Sequence, residues 1–135
     1  MGVVLLDSAP IVGFLEPTNK FHVSASAAIA DAARKHRLII SMVTFAELLT
    51  GVRLGYRNEE VLRGFVRDLI GDVVPVERGV AERAAQLRGA KRSLKMPDAL
   101  ILATADIHAE RAVTCDSDLD GVSMTCTVER LTADR

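Results

Sequence analysis

The run Lys95-Met96-Pro97-Asp98-Ala99-Leu100-Ile101-Leu102-Ala103-Thr104-Ala105 constrains the fold most. Pro97 presets a helical φ and lacks the N–H that a first turn leaves unpaired, so it starts a helix well. Asp98 then lies in the first turn, where a carboxylate faces the positive end of the helix dipole. Ala99 to Ala105 is almost wholly apolar, and a helix apolar on every side must be covered on every side. The sequence therefore places one acid at the mouth of a core helix. That acid is either a start signal or a carboxylate held for metal or acid–base work. Only the convergence of other acids on it separates the two readings.

The rest of the chain supplies cover for such a helix. Val3 to Leu6 is a short continuous apolar run, as in a strand buried on both faces of a parallel sheet. Pro10 starts a helix through Ile11–Leu15, which Glu16-Pro17-Thr18-Asn19 breaks. His22 to His36 reads as helix with a basic end, Leu38 to Ile40 as strand, and Thr44 to Arg53 as helix. Asn58 caps a further helix with Val61, Leu62, Phe65, Val66 and Leu69 as its stripe, and Gly71 ends it. Val73 to Val76 reads as an edge strand because of Pro75. Val80 to about Leu94 is helical, Ala112 to Cys115 a strand, Asp116 to Gly121 a polar loop, and Val122 to Thr127 a last strand. Strands alternating with helices predict an α/β fold, with a mostly parallel sheet covered on both faces. Ligands of such sheets bind beyond the carboxyl ends of the strands, at the switch point.

At 135 residues the chain is expected to form one domain with a real core. Hydrophobic residues at 49% and charged residues at 26% fit a soluble globular protein, and no run approaches a membrane span. A net charge of −1 hides a basic stretch from Arg53 to Lys95 and an acidic one from Asp106 to Asp134. Aromatics at 4% leave few platforms for stacking bases. Cys115 and Cys126 lack metal-ligand spacing and read as reduced thiols of a cytosolic protein. His22, His36 and His108 fall on the expected helices, His108 as a C-terminal cap, and no protein nucleophile stands out.

The acids fall in a pattern. Asp7 follows the first strand, Glu47 comes just after the second, Asp98 opens the core helix, and Asp116 and Asp118 follow the Ala112–Cys115 strand. All face one edge of the sheet in right-handed crossovers. Each has a local explanation. Asp7 or Ser8 caps a helix, Thr44 with Glu47 forms a capping-box pattern, and Asp116 and Asp118 suit a loop. Their shared edge is harder to explain by capping. Crowded carboxylates raise one another's pKa, and a cluster that stays ionised needs a cation. All-oxygen ligands favour Mg²⁺ or Mn²⁺ over zinc. A cation so held can activate water to attack a phosphodiester in line.

These segments appear in the order Val4-Leu5-Leu6-Asp7-Ser8, Thr44-Phe45-Ala46-Glu47-Leu48-Leu49-Thr50-Gly51, Leu94-Lys95-Met96-Pro97-Asp98-Ala99-Leu100-Ile101 and Thr114-Cys115-Asp116-Ser117-Asp118-Leu119. In that order the chain resembles the PIN-domain ribonucleases, and by its size the VapC toxins of toxin–antitoxin pairs. The resemblance spans residues 1–135 as a single domain. It implies an α/β/α sandwich, Mg²⁺ or Mn²⁺ as cofactor, endonucleolytic cleavage of RNA, a homodimer and a VapB-type antitoxin partner. It carries over Asp7, Glu47, Asp98 and Asp116 as the acidic quartet, with Asp7, Asp98 and Asp116 as metal ligands. Glu47 binds the metal or orients water. Asp118 is an accessory acid, and Ser8 and Thr114 are supporting hydroxyls. Arg88, Lys91, Arg92 and Lys95 form either a solvated helix face or contacts to the RNA backbone. Two positions depart from the family pattern: Ala9 stands where Ser or Asn is usual, and Leu119 where an aromatic is common. The runner-up function is a non-catalytic binding module acting through its dimer or partner surface. A phosphoacceptor receiver domain is disfavoured, because no Lys follows Lys95 and the mid-chain strand ends at Val76-Glu77.

Overall fold

The computed structural model describes residues 2–119 and 122–135. Its elements are β1 (Val3–Leu6), α1 (Ser8–Leu15), α2 (His22–Lys35), β2 (Arg37–Ser41), α3 (Met42–Arg53), α4 (Glu59–Leu69), β3 (Asp72–Val74), α5 (Arg78–Ala90), α6 (Met96–His108), β4 (Arg111–Thr114) and β5 (Thr127–Arg130). Among the described residues the five strands form one sheet in the order β3-β2-β1-β4-β5, every pair parallel. The expected α/β architecture is the one found.

Period-two alternation builds the two faces of the sheet. Val4, Leu6, Leu38 and Ile40 pack into one cluster with Ile11, Ile29, Leu48, Leu62 and Phe65 from α1 to α4. Leu5, Ile39 and Ala112 point the other way, onto Ile101 and Ala105 of α6. The outer side of α6 meets α5, where Ala99, Leu102 and Ala103 share a cluster with Val80, Ala84 and Leu87. The all-apolar helix is thus covered by the sheet on one side and a helix on the other. In burying six residues from Ala99 to Ala105 it does what its composition requires.

Several expectations need correction. Thr44 does not cap α3. The helix starts at Met42, and Ser41 caps it by accepting the Val43 N–H on its hydroxyl at 3.0 Å. The reason is the ladder: β2 runs to Ser41, which pairs with Val74, so the chain turns earlier than the Thr44-x-x-Glu47 pattern suggests. α5 stops at Ala90 rather than Leu94, and the Arg88 guanidinium closes the following turn by donating to the Leu94 carbonyl at 2.7 Å. His36 lies one residue beyond α2, where its Nδ1 meets the Gly2 N–H.

The last strand also differs. It is Thr127–Arg130, not Val122–Thr127. The carboxylate of Asp106, at the end of α6, takes the N–H groups of Thr125 and Cys126 and the Thr125 hydroxyl. Those groups are therefore spent before the ladder begins. Of the polar loop expected at Asp116 to Gly121, Ser117–Leu119 forms one 3-10 turn, and residues 120 and 121 lie outside the described residues. Asn58 caps α4 as expected, and β3 is an edge strand, but it runs Asp72–Val74 and Pro75 lies beyond it rather than within it. Among the described residues no helix is long and apolar enough to cross a membrane.

Candidate active site

The strand order reverses between β1 and β4: from β1 the chain builds outward to β2 and β3, then returns to place β4 on the other side. That is the switch point, where the helices leaving adjacent strands diverge and open a crevice. Asp7 and Thr114 end those two strands. The Asp7 N–H continues the ladder by donating to the Val113 carbonyl at 3.0 Å. The residue is 9% exposed. Oδ1 accepts the Ser8 N–H at 2.8 Å, capping α1, and Oδ2 accepts the Thr114 hydroxyl at 2.8 Å. Both readings of Asp7 therefore hold at once: it caps a helix and lines the crevice.

Hydrogen bonds tie the neighbouring acids to this pair. Thr114 Oγ1 accepts the Asp116 N–H at 3.1 Å, and Asp116 Oδ1 accepts the Asp118 N–H at 2.8 Å. Across the crevice the Ser8 hydroxyl donates to Glu47 Oε1 at 2.7 Å. Glu47 lies in the second turn of α3, free of the capping duty its spacing suggests. Asp98 sits in the first turn of α6, after Pro97.

The charges of the other three acids reach Asp98. Burial raises the pKa of Asp98, and the charges of Asp7, Asp116 and Glu47 push it further, to about 6, against a lowering by Lys95. Burial also raises Asp7, despite the hydrogen bonds from Thr114 and Ser8 that favour its charged form; Asp116 adds to the rise. The Cys115 thiol is pushed up to about 11, by burial first and then by Asp7. A thiol so poorly ionised is a poor nucleophile.

The expected basic residues divide. Lys95 lies close enough to Asp98 to lower its pKa. Lys91 donates from Nζ to the Asp118 carbonyl, which ties the α5–α6 turn to the acidic segment. Arg88 is engaged with Leu94. Arg92 is exposed in the turn. Of the departures, Ala9 is exposed on α1, and Leu119 joins the buried cluster of α5 and α6. Sequence reasoning missed the roles of two further residues. Asp106 anchors the segment before β5, and its engaged state is invisible without the fold. Thr44 was read as a cap; instead it is fully buried, and its hydroxyl lacks a partner among the described residues.

Among the described residues no group of three or more His, Cys, Asp or Glu side chains stands arranged to hold a metal ion outright. The donor chemistry nonetheless fits a hard cation. The donors around Asp98 are all oxygens, and burial, with the charges of Asp7, Asp116 and Glu47 adding to it, raises Asp98.

Comparison with known proteins agrees with this fold. The profile of the PIN domain family matches residues 4–123. The VapBC2 structure from Rickettsia felis, bound to a promoter DNA fragment, superposes with a TM-score of 0.80 at 17% identity, covering 96% of this chain and 99% of that one. The FitAcB structure from Neisseria gonorrhoeae gives 0.70 at 26% identity, with 93% and 96% covered. DNA-bound VapBC from Salmonella typhimurium gives 0.76 at 21% identity, with 96% and 98% covered. No curated protein matches the chain.

Proposed function

The chain belongs to the PIN domain family, and from that premise we propose that it is a Mg²⁺- or Mn²⁺-dependent endoribonuclease, the VapC-type toxin of a toxin–antitoxin pair. One observation carries the reading: Thr114 joins the Asp7 carboxylate to Asp116, Ser8 holds Glu47 beside them, and Asp98 opens the buried helix with its charge within reach of all three acids. Asp7, Asp98 and Asp116 would hold the cation. Bound there, it would offset the phosphodiester's charge and make the attacking water more acidic. Thr114 fixes the Asp7 carboxylate and the Asp116 backbone in one hydrogen-bonded unit. Ser8 holds Glu47 by one oxygen, which leaves the other to orient water or accept its proton. Asp118 supports the turn that presents Asp116. Lys95 lies where it can meet a substrate phosphate; Arg92 is exposed nearby, whereas Arg88 and Lys91 first serve the α5–α6 turn.

The similar structures from Rickettsia felis and Salmonella typhimurium are of VapBC pairs, which supports a VapB-type antitoxin as partner. Leu54, Tyr56 and Val61, exposed along the α3–α4 connection, offer apolar surface for protein contact. We read the active form as one PIN domain per chain, paired in a homodimer in the cytoplasm. The test is cleavage of RNA with Mn²⁺ by the wild type and by Asp98→Asn, which keeps shape and removes charge. The variant is expected to lose at least about 100-fold, the upper end of what supporting groups around a metal cost. Undiminished cleavage by the variant would overturn the assignment.

A further inference from the structure

A groove runs along α5 away from the acids. Gln86, Leu87, Ala90 and Lys91 line one side of it, and Val122 and Ser123 line the other. The four on α5 and its cap share a face because residues three and four apart on a helix are neighbours. Hydrogen bonds fix both ends of the groove. At the far end Arg83 is fully engaged: it pairs with Asp106 at 2.9 Å and donates to the Gln86 side-chain oxygen at 3.1 Å and the Ser123 carbonyl at 3.2 Å. At the near end Lys91 donates to the Asp118 carbonyl, and the Asp118 N–H donates to Asp116 Oδ1 at 2.8 Å. The groove therefore begins two hydrogen bonds from the acidic quartet. From Arg83 to Lys91 the chain rises roughly 12 Å.

The lining says what fits. Leu87 is a buried floor, and Ala90 and Val122 extend the apolar wall. Two polar groups are available on that wall. Arg83 takes the Gln86 oxygen, which leaves the amide NH2 to donate, and the Ser123 hydroxyl has no partner among the described residues. An apolar cleft with a few placed polar groups is the composition of a ligand site. The cavity of about 210 Å³ is smaller than the roughly 300–1,000 Å³ of a drug-sized site, so it suits one flat ring rather than a whole nucleotide or a peptide. Unstacked bases of single-stranded RNA are such rings and carry acceptors on their edges. Lys91 places a positive charge at the mouth, where the phosphate of an entering nucleotide lies. In a chain so poor in aromatics, an aliphatic slot replaces a stacking platform.

We propose that this groove is a base-reading subsite, which takes the nucleobase of one nucleotide flanking the scissile phosphate, with the Gln86 amide donating to an acceptor on the base edge and Ser123 bonding beside it. The inference rests on the ribonuclease reading above and adds to it where sequence preference arises. The test is cleavage, with Mn²⁺, of a pool of short single-stranded RNAs of random sequence, every cut position being read by sequencing. The wild type should favour one base, or one class of base, at a single position beside the cut. Gln86→Ala should lower kcat/KM about 3- to 10-fold for RNAs carrying the favoured base, the worth of one hydrogen bond, and flatten the preference at that position alone. Ala90→Trp fills the groove from the exposed last residue of α5 and should abolish the preference there. Both variants should bind Mn²⁺ as the wild type does by calorimetry, because neither residue touches an acid. A wild type that cuts without base preference, or a preference that survives both substitutions, overturns this inference and leaves the nuclease reading standing. Weakened Mn²⁺ binding in both variants also overturns it, since the groove would then serve the acids rather than the base. A wild type that cuts none of the pool overturns both readings.

Discussion

At the scale of single residues, Asp98 links the fold to the chemistry through its charge. Its folded pKa of about 6 lies above the value near 3.9 of an unfolded aspartate. Between those values the folded protein binds more protons than the unfolded chain, so in the absence of metal this group's contribution to stability falls as pH rises. Asp7 acts in the same direction. Asp106 is held below the ordinary range: its burial is outweighed by the Cys126, Thr125 and Arg83 bonds. Its stabilising contribution is lost only in stronger acid. We expect the metal-free unfolding midpoint to decline from about pH 4 to pH 6, the two pKa values just given, and Asp98→Asn to flatten that decline. A wild-type midpoint that holds level across the window, followed by thermal unfolding in chelator, would count against crowding of the acids. The acids themselves were legible in the sequence, because strand ends and a proline-marked helix start fixed their edge. Thr44 was not legible. Ser41 and Thr44 are both residues that can cap a helix within one stretch, and only the pairing of Ser41 with Val74 decides between them.

At the scale of elements, the segment before β5 shows where sequence reading stops. Val122, Met124, Cys126 and Val128 alternate without a break, so apolar period alone cannot say where the ladder starts. A side chain on another element sets the start. Asp106 collects the Thr125 and Cys126 groups and pairs with Arg83 of α5 at 2.9 Å, while Arg83 also donates to the Ser123 carbonyl at 3.2 Å. Its own side chain is only 5% exposed. Asp106→Ala should therefore cost about 2 kcal/mol, the range for hydrogen bonds to a charged group, as read by urea denaturation. A change within a few tenths of a kcal/mol, the error of such comparisons, would mean that the segment is held by packing alone. α2 offers a parallel case. Phe21 precedes it with no side-chain cap, and Asp134 supplies one from the far end of the chain, accepting the Val23 and Ser24 N–H groups at 2.8 and 3.1 Å. A cap from 110 residues away leaves no local pattern to read.

At the scale of the whole molecule, the architecture was legible because it follows from burial. A helix apolar all round needs two covers, doubly buried strands need helices on both faces, and right-handed crossovers then bring the strand ends to one edge. The sheet order, with its reversal between β1 and β4, puts Asp7 and Thr114 side by side at the opening that results. The same topology that buries α6 thus gathers like charges, and under the proposed function a divalent cation resolves their repulsion. A ligand that binds only the folded state stabilises it by about 2.7 kcal/mol at a hundred times its dissociation constant. The most direct measurement is thermal unfolding of the wild type and of Asp98→Asn across a Mn²⁺ titration at neutral pH. The expected result is a midpoint that climbs with Mn²⁺ in the wild type and stays level in the variant. A wild-type midpoint indifferent to Mn²⁺, or an equal climb in both proteins, would contradict it.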